Sequence, residues 1–320
     1  MKKFGVIGLL AFLFISGFFL WWQAGNQPVN KNDTSQKIFV IAKGEGLRSI
    51  TNALKAQGLI KDPVVFFLLV KQLGLDTKIQ AGDFRLSPSM SAQEIAHALT
   101  KGSLDVWVTI PEGKRAQEIA DILQSKIPAY TEDWRVRLNE NEGYLFPDTY
   151  LIPKDATIDQ VATLLRGTFD QKYASIPNTA GKSQEKVVTI ASLVEREAIT
   201  DEEKPIIAGI IQNRLNAGVA LQVDATIQYA KGYNASRKSW WSPVTVAEYT
   251  SIRSPYNTYL SPGLPPGPIA NPGLAALEAA VNPQNTEYFY YLHDKDGQIR
   301  YAITNDQHNS NKIRYGVSGS

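Results

Sequence analysis

The chain has 320 residues, 43% hydrophobic and 20% charged, which is length enough for two folded units and apolar content enough for a substantial core. Its net charge of +2 comes from Lys2 and Lys3; without them the 33 basic residues fall to 31 and match the 31 acidic ones, a balance that argues against a nucleic-acid partner. With no cysteine and only 3 histidines, His97, His293 and His308, none in an HExxH pattern, the composition excludes disulfides, thiolate metal sites and a cysteine nucleophile, and no metal or cofactor is expected.

Residues Phe4 to Trp22, FGVIGLLAFLFISGFFLWW, are uncharged and, at about 1.5 Å per helical residue, long enough for a hydrocarbon core of about 30 Å. They predict a single membrane-spanning helix preceded by a short cytoplasmic tail. Lys2 and Lys3 orient the amino terminus to the cytoplasm, and Trp21 and Trp22 mark the far interface. A cleaved signal peptide shares the basic start and apolar stretch, but the run is long for a signal core and no clear A-x-A site follows. Residues 23–36 are polar and turn-rich, as a tether should be.

Lys37 to Ala42 predicts a strand and Leu47 to Gln57 a helix closed by Gly58. Asp62-Pro63 supplies an N-cap and a first-turn proline for an apolar helix, Val64 to Leu73. With a further extended segment at Phe84 to Leu86, the order is strand-helix-helix-strand, which suggests a small LysM-like α+β module over residues 37–105. Similar amphipathic units recur as AQEIAHAL at Ala92, AQEIADIL at Ala116 and, more loosely, TIDQVATLL at Thr157. Either a reused packing unit or the common pattern of short amphipathic helices accounts for them.

Residues 106–320 predict a mixed α+β second domain, and the chemistry concentrates there. The stretch NEGYLFPDTY, Asn141 to Tyr150, reads chiefly as core-building, with Glu142 and Asp148 as its unusual members. Val187 to Glu197, VVTIASLVERE, predicts a largely buried helix capped by Ser183, from which Glu195 and Glu197 emerge. Two positions apart on a helix is about 200°, so the two carboxylates face opposite ways and at most one addresses a given bond. The neighbours of Glu195 at helical spacing are Val188, Ala191, Ser192, Ala198 and Ile199, an apolar face on which a carboxyl group would stay protonated as a general acid must. An ion pair with Arg196 or Arg214 is the competing reading.

Thr200 and Glu203 fit a capping box for the next helix, although Pro205 then falls later than proline prefers. LQVDATIQYA, from Leu221, is read as extended, which puts Gln222 and Asp224 on one face. The loop SPYNTYLSPGLPPGPIANPG, Ser254 to Gly273, is stiff enough to hold Tyr256, Asn257 and Tyr259 along a groove, and aromatic faces with amides suit sugar rings. Asn271 and Pro272 are expected to open a short helix. Tyr288 to Leu292 and Gln298 to Thr304 predict a hairpin.

ASLVERE, LQVDATIQYA, the Pro-rich loop and the closing TNDQHN at Thr304 occur in an order that resembles the YceG-like (MltG-type) endolytic murein transglycosylases, over nearly the whole chain. The resemblance implies a membrane-anchored lyase that cleaves peptidoglycan glycan strands between N-acetylmuramic acid and N-acetylglucosamine, leaving 1,6-anhydro ends without water as nucleophile. It implies Glu195, the first acid of the pair, as catalytic, with Glu197 supporting or structural. It further implies a domain outside the cytoplasm and association with penicillin-binding proteins. Gln222, Asp224, Tyr256, Asn257 and Tyr259 are the candidate sugar-positioning residues. Ala198 departs from the Thr expected in many relatives. Against this reading stand a non-catalytic glycan-binding scaffold and a muramidase with Asp224 as second carboxylate.

Overall fold

The computed structural model describes residues 2–101 and 105–317, with side chains from residue 12 onward. Contacts divide the chain into two units, Met1–Val106 with Leu151–Asp155, and Trp107–Tyr150 with Ala156–Ser320. The secondary structure is mixed α+β.

The first unit begins with α1 (Lys2–Asn26), which contains the expected span. The side chains of the first part of that span lie outside the described residues. Among the described residues no helix is long and apolar enough to cross a membrane. Then follow β1 (Lys37–Ile41), α2 (Leu47–Ala56), α3 (Pro63–Gln72), β2 (Gly82–Leu86) and α4 (Ala92–Ala98). β1 and β2 pair antiparallel with Phe39 opposite Phe84, and both rings are buried against Ile50, Leu54, Phe66 and Ile95. The strand-helix-helix-strand order is the one expected. Asp62 caps α3 through Val64 N–H and Val65 N–H, at 2.8 and 3.0 Å, with Pro63 opening the helix.

β3 (Asp105–Thr109) and β4 (Thr149–Pro153) each run across the division between the units, and the second unit further contains α5 (Ala116–Lys126), α6 (Trp134–Asn139) and α7 (Ile158–Ala174). The Thr109 and Thr149 hydroxyls meet at 2.9 Å. Three helices that follow strands, α4, α5 and α7, share one start: Glu94, Glu118 and Gln160 each accept the backbone N–H three residues back. The similarity of AQEIAHAL, AQEIADIL and TIDQVATLL is thus partly a shared helix-opening device.

The core of this unit is α8 (Gln184–Glu197), capped by Ser183 as expected, in which every residue from Val187 to Val194 is buried. Around it lie α9 (Lys204–Asn216), α10 (Asp224–Lys231), a short α11 (Glu248–Ser251) and α12 (Leu274–Val281). The antiparallel hairpin β5 (Tyr290–His293) and β6 (Ile299–Ala302) and the terminal α13 (Asn305–Arg314) complete it. Each fully buried Val, Ile or Leu of α8 contributes about 2 kcal/mol of burial.

Gly143 shows how closely NEGY approaches that core. Its φ of 87° suits glycine, and a Cβ there would strike Pro268 and come within 2.9 Å of Val188.

Three local expectations change. Glu203 is the N-cap of α9, so the helix begins later than a Thr200 box would start it, and Pro205 falls in its first turn where proline belongs. LQVDATIQYA is not a continuous extended segment: Gln222 takes a left-handed φ of 53° and Asp224 opens α10. Gly273, not Asn271, caps α12. Asn271 is instead a buried junction: its Oδ1 accepts Leu145 N–H at 2.8 Å, while its Nδ2 donates to Lys114 O and to Glu142 Oε1, both at 2.9 Å.

Candidate active site

The carboxyl-terminal end of α8 presents its two glutamates to different surroundings, as the 200° spacing requires. Glu195 meets α9 and the start of α12. Its carboxylate accepts the Lys204 ammonium at 3.2 Å and Gly273 N–H at 3.1 Å. Lys204 also holds Asp201 at 2.8 Å and Glu112 at 3.7 Å. The Lys204 and Glu195 side chains are only 5% and 8% exposed. Burial raises the Glu195 carboxyl above its usual range, opposed by the Lys204 charge, and Glu112 adds to the rise. The ion-pair reading therefore holds with a partner the sequence did not suggest. Arg196 instead stacks over Trp241 at 3.9 Å, and Arg214 spends its guanidinium on the carbonyls of Ala220, Leu221 and Phe289.

Glu197 faces a cavity of about 560 Å³ bounded also by Gln222, Asp224, Tyr249, Tyr259, Tyr291, His293 and His308. The Tyr291 hydroxyl donates to its carboxylate at 2.7 Å. Burial is the largest influence on Glu197 and raises its pKa; the Tyr291 hydrogen bond opposes this, and the negative charge of Asp224 reinforces it. Across the cavity the Tyr259 hydroxyl donates to Asp224 Oδ1 at 2.6 Å, and the Tyr249 ring stacks on Tyr259 at 4.2 Å and 8°. Burial, and after it the hydrogen bond to Asp224, push the Tyr259 phenol upward, so it remains a donor. His293 bonds Glu203 at 3.1 Å, and Glu203 in turn accepts Ile199 N–H just beyond α8.

Local sequence explains how these side chains arrive together. The left-handed turn at Gln222 puts Asp224 in the first turn of α10, where a negative charge suits the helix dipole. Thr258 accepts Val223 N–H at 3.0 Å and so joins the Pro-rich loop to that turn. Ser192 accepts Ile269 N–H at 3.1 Å and joins the same loop to α8.

Of the six residues singled out from sequence, Gln222, Asp224 and Tyr259 gather at the cavity, while Glu195, Tyr256 and Asn257 do not line it. Asn257 is 0% exposed, and its amide is committed to the carbonyls of Tyr249 and Ile252 and to Tyr259 N–H. It shapes the loop that carries Tyr259. Tyr256 packs on Tyr229 with ring centroids 4.8 Å apart, in a separate cluster with Arg115 and Glu142. The sequence reading missed Tyr291, His293 and Tyr249. An alternating aromatic strand was the only signal for Tyr291, and it reads equally well as core.

A model of the YceG-like family matches residues 39–314. An endolytic murein transglycosylase of Bacillus subtilis (strain 168) is 30% identical over 336 residues, covering 95% of this chain and 91% of the relative. A protein of the same name from Streptococcus pneumoniae serotype 2 (strain D39) is 29% identical over 331 residues, covering 89% of this chain and 59% of that protein. The 2.6 Å crystal structure of a yceG-like protein from Listeria monocytogenes superposes with a TM-score of 0.56 at 27% identity, covering 86% of this chain and 99% of that one. By the extent of these matches, the chain belongs to the YceG-like family.

Proposed function

We propose that this protein is an endolytic lytic transglycosylase of peptidoglycan, with Glu197 as its acid and base. The observation that carries the assignment within the site is that Glu197 shares a cavity with Gln222, Asp224 and Tyr259, whereas Glu195 is neutralised by Lys204 on the other side of α8. The activity follows the names of the Bacillus and Streptococcus relatives.

Burial and the Asp224 charge favour the protonated form of Glu197. Glu197 gives its proton to the glycosidic oxygen as the bond from the muramyl C1 breaks, with positive charge developing on the sugar. The 6-hydroxyl of the same muramyl residue then bonds to C1 and returns its proton to the Glu197 carboxylate. The two products together have the mass of the starting strand, with no water added. Tyr291 orients the Glu197 carboxyl, and the negative charge of Asp224 both holds the Glu197 proton and favours the developing cation.

Asp224 in the same cavity also supports a second reading, a two-carboxylate muramidase. Mass analysis of ends made by the purified protein from glycan strands decides between them. Anhydromuramyl ends support the transglycosylase; ends heavier by one water support the hydrolase; intact strands at high protein concentration refute both.

The same reading includes an amino-terminal anchor formed by α1, with the two units outside the cytoplasm. It rests on the uncharged run from Phe4 to Trp22, the two lysines before it and the exposed apolar side chains from Phe12 to Leu20. Alkaline carbonate extraction tests it: release into the soluble fraction refutes the anchor. The reading extends to glycan contact by the LysM-like module and to complexes with penicillin-binding proteins, for which copurification from detergent-solubilised membranes is the test.

A further inference from the structure

We infer that α3 lies in the membrane–water interface, so that the first unit rests on the lipid surface as well as being tethered to it. The inference rests on the anchor reading above and on the faces of α3. On one side Phe66, Leu69 and Val70 fill the core of the first unit, and Val65 is buried against Gly25 of α1. The opposite side is also apolar: Val64 is 55% and Leu68 40% exposed, with Phe67 partly exposed between them. Positions 64, 67, 68 and 71 follow helical spacing, so this is one stripe, ending at the exposed Lys71. A water-facing helix of this kind would carry charges there.

The position of α3 against α1 identifies what covers the stripe. The Trp21 indole N–H donates to Asp62 Oδ2 at 3.1 Å, and Asp62 Oδ1 caps α3, so one carboxylate fixes the start of α3 against α1. Gly25 lies directly on Val65, where any Cβ would come within 2.6 Å of the valine. Leu68 and Gln72 then form a groove of about 420 Å³ with Phe18, Phe19 and Trp22. Phe18 and Phe19 are themselves exposed and belong to the anchor, so the apolar surface runs without a break from α1 onto α3. The step from Trp22 back to Phe18 is about 6 Å along a helix axis, within the depth of about 5–10 Å to which interfacial helices sink. The exposed Lys61 precedes the stripe, and Lys71, which pairs with Asp76, ends it.

Because the full chain has no cysteine, single variants Phe19→Cys, Leu68→Cys and Gln93→Cys each accept one environment-sensitive fluorophore. The labelled full-length proteins are reconstituted into phosphatidylcholine–phosphatidylglycerol vesicles carrying a lipid quencher just below the headgroup. The expected result is loss of fluorescence at positions 19 and 68 to a similar extent, with position 93 unquenched by lipid and quenched by aqueous iodide. Quenching at 19 but not at 68 overturns the inference and leaves the anchor standing. Absence of lipid quenching at both removes the anchor and the inference together. Disulfide-linked dimers of unlabelled Leu68→Cys, with the label at 68 shielded in detergent as well as in vesicles, assign the stripe to a second copy and overturn the lipid assignment.

Discussion

Glu195 and Glu197 leave the same buried helix and differ in what the rest of the chain brings to them. Glu195 meets a cation: Lys204 and Gly273 N–H hold it in a nearly solvent-free setting. Glu197 meets a cavity, a tyrosine donor and a second carboxylate. Burial raises both carboxyl groups; the Lys204 charge opposes that rise at Glu195, and the Asp224 charge adds to it at Glu197. Burial alone therefore does not set the two carboxyl groups apart; the groups brought to them do.

The largest expected effect on stability comes from the Glu195 side. Glu195→Gln removes the buried partner of Lys204 and should cost up to about 3 kcal/mol, the part that Asp201 and Glu112 do not make good. Urea unfolding of the variant checks this, and a loss under about 1 kcal/mol would place Glu195 outside the scaffold. The same variant should keep the wild-type pH dependence of activity.

Glu142 sharpens the comparison from a third position. Held by Ala116 N–H and Asn271, it is raised by burial from 4.5 to about 7. The unfolded chain releases this proton more readily than the folded one, so the contribution of Glu142 to stability is full below pH 4.5 and is lost as pH rises through 7. The change amounts to about 3 kcal/mol at 1.36 kcal/mol per pH unit. Melts between pH 5 and 8 should flatten in Glu142→Gln, which keeps the accepting oxygen. An unchanged slope would mean that another group carries the titration.

The smallest effect is expected on the Glu197 side, where Tyr291→Phe removes one hydrogen bond. The rate should fall by about tenfold, the equivalent of about 1.4 kcal/mol. Loss of that bond also raises the Glu197 pKa further, so the alkaline limb of the pH–rate profile should move to higher pH. A uniform rate loss with no shift of that limb would reduce Tyr291 to a packing role.

Much of the architecture was legible because local chemistry sets it. Asp62-Pro63, the Ser183 cap, the apolar run of α8 and the hairpin around Asp294 to Gly297 are decided within a few residues. The opposite orientation of the two glutamates was legible for the same reason. Which side faces the cavity was not, because Tyr291 reaches Glu197 from 94 residues away and Gly273 reaches Glu195 from 78. The burial of Asn257 was not legible, because an amide in a stiff loop looks available until its partners, Tyr249 O and Ile252 O, are seen. Gln222 and Asp224 reached one cavity as expected, but through a left-handed turn into a helix rather than along a strand.

The division of roles between the two glutamates is tested most directly by giving Glu195→Gln and Glu197→Gln the same purified glycan strands and counting anhydromuramyl ends by mass spectrometry, each at a temperature where it is folded. The account predicts that Glu195→Gln still makes those ends, while Glu197→Gln loses activity by about 10³-fold, within the range of an acid–base group. Abundant anhydromuramyl ends from Glu197→Gln, with none from folded Glu195→Gln, would contradict it.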